Sequence, residues 1–148
     1  MIKSQLLELF ERDLTNLKKE IESYKQESNL WVTSGEIKNT PGNLTLHIVG
    51  NLKHFFGAVL SGTGYVRNRE AEFLITDIPR KDILREIDEA HFIVKNTIYA
   101  LPEEDFIKEY PEHVFEKPMS MAAFFVRLIS HLNYHLGQIN YHRRLLDK

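Results

Sequence analysis

The stretch Ser130-His131-Leu132-Asn133-Tyr134-His135-Leu136-Gly137-Gln138 places two histidines four residues apart. On a helix that spacing puts both imidazoles on one face, about one turn or roughly 6 Å of rise apart, within reach of a single ion. The chemistry such a pair supports is divalent-metal binding through neutral ring nitrogens. The spacing alone is weak evidence, because helical histidines are often packed or surface groups, and the reading turns on a third ligand.

The chain has seven histidines, at 47, 54, 91, 113, 131, 135 and 142. His113 lies in a proline-bracketed segment and reads as solvated. His142 shares a helical face with the pair but stands about 16 Å of rise from His131, too far to share an ion, and is expected at the surface or the helix end. His54 is roughly 10 Å along the axis from His47, a poor spacing for one ligand sphere. His91 interrupts an apolar stripe and is expected to be a hydrogen-bonded core residue. His47 faces the core of its own helix with Asn51 one turn away, and it is the natural third ligand. The candidate set is His47, His131 and His135, drawn from facing helices, as bundle metal sites are.

The elements that must position these residues are legible in the hydrophobic pattern. Leu6, Phe10, Leu14, Leu17, Ile21 and Tyr24 recur in steps of three and four, the face of a first amphipathic helix. Residues 26–40 lose the pattern and read as a connecting loop in which Trp31 packs against the bundle. Thr40-Pro41 resembles an N-cap followed by proline at the first helical position. The second helix then buries Leu44, Ile48, Leu52, Phe55, Phe56 and Val59, with His47 and Asn51 set into the stripe. Gly50 and Gly57 each cost about 1 kcal/mol against alanine inside a helix, and close approach of another element explains them. The helix ends at Ser61-Gly62-Thr63-Gly64.

Tyr65 to Phe73 is a charged connector, expected to be a solvated loop held by local ion pairs. Pro79 opens a third helix with the stripe Leu84, Ile87, His91, Val94, Ile98 and Leu101. Pro102, Pro111 and Pro118 bracket a segment that cannot be one helix and that carries Phe106, Tyr110, Val114 and Phe115 over one end of the core. The last helix runs from about Ser120 to Leu146 and buries Phe124, Leu128, Leu132, Leu136 and Ile139. With no strand pattern, the fold expected is an all-α four-helix bundle, with an irregular proline-bracketed connection between the third and last helices.

The totals agree with one domain over residues 1–148. Hydrophobic residues make up 43% and charged residues 27% of the chain, a globular composition. Lys and Arg number 19 against 21 Asp and Glu, so there is no basic field to hold nucleic acid. Cysteine is absent, which removes disulfides, thiolate ligands and an intrinsic nucleophilic thiol. The N-terminus lacks the uninterrupted apolar core of a signal peptide, and no apolar run reaches membrane-spanning length, so a cytoplasmic location without membrane partners is expected.

Asn43-Leu44-Thr45-Leu46-His47-Ile48-Val49-Gly50-Asn51-Leu52, the segment Arg67 to Phe73, and His131-Leu132-Asn133-Tyr134-His135-Leu136-Gly137-Gln138-Ile139 together resemble the DinB/YfiT-like superfamily of metal-binding four-helix bundles. The chain is similar to an uncharacterised branch of it, and the resemblance covers essentially the whole length. It implies a divalent metal, zinc or nickel, on three histidines with open positions, and a homodimer. Relatives include transferases and isomerases that use small cellular thiols, together with hydrolase-like members.

Three neutral imidazoles leave the ion its full double charge, so an anionic fourth ligand is favoured, either hydroxide or the thiolate of an external low-molecular-weight thiol. A protease of the HExxH type is excluded, because Leu132 stands where that chemistry needs a glutamate. Asn51 and Gln138 are placed to orient ligands or water. Arg67 and Arg69 are placed to clasp the carboxylates of a small thiol or other small-molecule substrate. The expectation is therefore a metal-dependent transferase activating a small thiol. The alternative is a non-enzymatic bundle in which the ion ties helices together.

Overall fold

The computed structural model describes residues 1–148. Six α-helices follow in order: α1 (Ile2–Ser23), α2 (Pro41–Leu52), α3 (Val59–Ser61), α4 (Arg69–Leu74), α5 (Arg80–Ala100) and α6 (Met121–Leu146). A π-helical stretch, Lys53–Ala58, joins α2 to α3 without a break, so the two form one long bent element ending at Gly62 in the left-handed conformation. Short 3-10 turns occupy Glu27–Trp31 and Glu103–Ile107. The fold is an all-α bundle built on α1, α2, α5 and α6. Its nearest approach to a sheet is a single antiparallel bridge between Glu109 and Ser120 in the proline-linked segment. None of the helices is long and apolar enough to cross a membrane.

Each long helix contributes the stripe its periodicity demands. In α1 the buried apolar set is Leu6, Phe10, Leu14, Leu17 and Ile21, and in α6 it includes Phe124, Phe125, Leu128, Leu132 and Ile139. Removing these side chains from water supplies the main stabilisation, about 25 cal/mol per Å² of apolar surface. Aromatic rings lock the centre: Phe10 meets the edge of Phe56 at 5.2 Å between centroids, and Phe56 lies 4.6 Å from Phe125. Helix α1 packs against α5 and α6, while α2 packs against the same two, so α2 and α6 are neighbours. That adjacency lets His47 meet the histidines of α6.

Thr40 caps α2, its Oγ1 accepting from the backbone N–H of Asn43 at 3.1 Å, with Pro41 at the first helical position. The Trp31 ring packs on Gly42 so closely that a Cβ there would meet it at 2.6 Å. In the proline-bracketed segment Phe106 and Tyr110 are buried, whereas Val114 and Phe115 remain largely exposed. The Tyr110 hydroxyl donates to the Phe55 carbonyl at 2.7 Å and pins this segment onto the π-helical stretch.

Three local expectations are corrected. The Tyr65 to Phe73 connector is not all solvated loop, because its second half forms α4 and Glu72 is buried. Six residues of helix capped by Asn68 were hidden by the density of charge. His91 is half-exposed beside Glu11, since the buried stripe of α5 runs through Ala90 instead. His142 is buried, not superficial. Its Nδ1 accepts from the Tyr24 hydroxyl at 2.8 Å and its Nε2–H donates to the Val32 carbonyl at 2.7 Å.

Burial lowers the His142 pKa from its usual 6.5, outweighing the opposite pulls of the Val32 carbonyl and Asp147. The fold favours the neutral ring, so this stability is complete above about 6.5 and is lost as pH falls from there through the depressed folded-state value. In metal-free protein, urea stability should decline as the pH falls below about 6.5, and His142→Gln should make the decline shallower. Equal slopes for the two proteins would contradict this assignment.

Candidate metal centre

His47 points from α2 toward α6, where His131 and His135 stand one turn apart. One ring nitrogen from each of the three lies within 4.8 Å of the other two. Nε2 of His47 and Nε2 of His131 are 3.0 Å apart. His47 is buried and the α6 pair is half-buried, so the cluster has an enclosed floor and an open side. Tetrahedral coordination at 2.0–2.1 Å sets ligand nitrogens roughly 3.3 Å apart, a spacing these separations bracket. The cluster is therefore capable of coordinating a metal ion.

Neighbouring groups fix the rings for that role. The Nδ1–H of His47 donates to Glu72 Oε1 at 3.0 Å, which leaves the Nε2 lone pair facing α6. The Nδ1–H of His135 donates to the Gln138 side-chain oxygen at 2.7 Å, again leaving Nε2 free. Such partners select the tautomer and the ring orientation of metal-binding histidines. His131 Nδ1 is buried without a partner, and so is Asn51 Oδ1. An ion on Nε2 of His131 would place the ring proton on Nδ1, creating a buried donor, and Asn51 presents a buried acceptor on the adjacent helix.

The electrostatics keep the ligand nitrogens of the α6 pair unprotonated. Burial pushes the His131 pKa down to about 4, with further lowering from His135, His47, Arg67 and Arg69. Burial also lowers His135, against the opposing pull of Gln138. Both rings are neutral at pH 7, the form a metal requires.

Glu72 is the member of the centre that sequence reasoning missed. It comes from α4, which Asn43 of α2 fastens by donating to the carbonyls of Glu72 at 2.9 Å and Ile75 at 2.6 Å. Phe73, the next residue, lies 4.7 Å from the His47 ring centroid. The Glu72 carboxylate accepts from Arg67 Nε at 2.9 Å and Arg67 Nη2 at 3.0 Å, as well as from His47. Burial alone would raise its pKa, but the hydrogen bonds from His47 and Arg67 overcome that and hold it below the usual carboxylate value. With its oxygens so occupied, Glu72 is a poor proton acceptor and an effective orienting group.

The signal that could have found Glu72 is Gly50, one turn beyond His47. A Cβ at Gly50 would overlap the Glu72 carboxylate, so the glycine marks where the acid approaches the α2 backbone. Of the two arginines, Arg67 is engaged with Glu72 and only 14% exposed, while Arg69 is exposed and makes no side-chain bond. Its charge nonetheless reaches His131.

A family model described as "Protein of unknown function (DUF1572)" matches residues 3–148. No curated protein matches the chain. The helical bundle with its three-histidine cluster is consistent with the DinB/YfiT-like metal-binding superfamily.

Glu72→Gln should weaken metal affinity about 10- to 100-fold in a competitive chelator titration, the usual effect of losing a group that orients a ligand. Gly50→Ala should produce a loss in the same direction by displacing the carboxylate, although alanine favours a helix by about 1 kcal/mol. Unchanged affinity in both variants would remove Glu72 from the centre.

Proposed function

The chain belongs to the DUF1572 family, and we propose that it is a divalent-metal protein whose His47, His131 and His135 hold zinc or nickel and which activates a small cellular thiol for transfer to an electrophile. The observation that carries this reading is the convergence of three imidazoles, two of them already oriented through their Nδ1 atoms by Glu72 and Gln138. When bound, a divalent ion supplies the Lewis acidity that stabilises the anionic form of a thiol or water beside it.

Charge balance favours an anion from outside. The Glu72 carboxylate and the Arg67 guanidinium neutralise one another, so the protein contributes no net negative charge to offset a dication. Arg69 adds an unpaired cation at the rim. A thiolate meets this demand, and the absence of cysteine means the thiol must be supplied as substrate. Glu72 is a weak base, since its oxygens are occupied by His47 and Arg67, which hold its pKa below the usual carboxylate value. Such a site lowers the proton affinity of the nucleophile instead of removing its proton with a side chain.

The remaining residues orient. Gln138 keeps His135 in register, and with an ion on Nε2 of His131 the unpartnered Asn51 side-chain oxygen would be the acceptor offered to the His131 Nδ1–H. Arg69 draws in the carboxylate that low-molecular-weight thiols carry. A cytoplasmic homodimer fits this reading, which commits to no nucleic-acid or membrane partner.

Titrating the cobalt-substituted protein with small cellular thiols should raise a sulfur-to-metal charge-transfer band. A silent spectrum across such thiols, combined with a large drop in melting temperature on chelation, would point instead to an ion that only ties α2 to α6. Arg69→Ala should weaken binding of a carboxylate-bearing thiol about 5- to 20-fold, within the range for a charge-assisted hydrogen bond, and leave an uncharged thiol unaffected. Equal loss for both thiols would place Arg69 outside recognition.

A further inference from the structure

A groove of about 560 Å³ runs along the seam between α2 and α6, walled by Pro41, Leu44, Tyr141 and Leu145 and roofed by residues 36–39. Its size suits a small molecule, within the roughly 300–1,000 Å³ of ligand sites. Its near end is Gln138, whose side-chain oxygen is bonded to His135. Leu44 lies one turn before His47 and Gln138 one turn after His135, so the groove begins about one helical turn from the histidine cluster on both helices. The two helices run in opposite senses here, because 131 and 135 face His47 while 138–142 face Leu44.

We propose that this groove seats the arm of the ligand whose head reaches the metal: an elongated small molecule with an anionic, metal-seeking head and an uncharged, largely apolar arm. This rests on the metal reading above. Gln138 is the shared element, because its NH2 group has no protein partner and is free to donate to an acceptor where head meets arm. The groove's own charges, Lys38 and Glu36, oppose one another and give an ionic arm no advantage. The exposed sides of Tyr141 and Leu145, 64% and 56% accessible, supply apolar surface that an arm would cover. From Gln138 to Leu145 the helix rises about 10 Å, which sets the arm's length.

The test uses full-length zinc-loaded protein, with metal content measured before and after calorimetric titration by acetohydroxamate, hexanohydroxamate and octanohydroxamate. Hydroxamate supplies a metal-seeking head without presuming thiol chemistry. Each added methylene should tighten binding about two- to fourfold, making octanohydroxamate at least about 50-fold tighter than acetohydroxamate. Leu145→Asp and Tyr141→Ser, both at exposed positions, should each cut that long-to-short ratio at least about fivefold. A flat series in protein that retains its zinc overturns the groove while leaving the metal reading intact. A chain-length gain that survives both substitutions overturns it too, placing the arm elsewhere. Protein that takes up no zinc overturns the metal reading and the groove proposal together.

Discussion

The Glu72 carboxylate is the interaction on which the centre depends. It is buried, and a buried carboxylate is tolerated only when its lone pairs are satisfied. Arg67 supplies two donors and His47 a third, so a charge that would oppose folding becomes the link between α4 and α2. The cost appears elsewhere in the chain: Gly50 weakens α2 as a helix so that the carboxylate can lie against its backbone. Asn43, Gly50 and His47 form one face of α2 given over to receiving α4.

That arrangement divides the work of the histidines. His47 is rigid, covered by Phe73 and bonded through Nδ1. His131 and His135 sit on the continuous α6 and are half-exposed, which leaves the open side of the cluster toward solvent. A centre with one fixed and two accessible ligands can admit an outside molecule without unfolding its support. The Glu72–Arg67 pair contributes orientation without net charge.

Much of this was legible in the sequence. The four long helices followed from apolar spacing, and the histidine set followed from the four-residue spacing of His131 and His135 and from the place of His47 in the stripe of the second helix. Gly50 and Gly57 announced close approach, which the structure resolves to Glu72 for the first and to Thr63 and Ile93 for the second. What the sequence concealed has a common cause. Glu72 and His142 are polar residues buried by partners far away in the chain, and neither periodicity nor rise arithmetic sees such partners. Local charge density around Arg67 and Arg69 argued for solvent, yet burial of Glu72 is decided by His47, twenty-five residues earlier. His142 belonged to the right face for burial, and its partners Tyr24 and Val32 come from the opposite end of the chain.

The most direct test of the central claim is X-ray absorption spectroscopy on tag-free, zinc-loaded protein. Three imidazole nitrogens at about 2.0–2.1 Å, with the remaining positions filled by ligands from solution, are the expected sphere. That pattern should be lost in a His131→Ala protein that still folds. A carboxylate oxygen from the protein in the sphere, or a zinc environment unchanged by the substitution, would contradict a three-histidine centre.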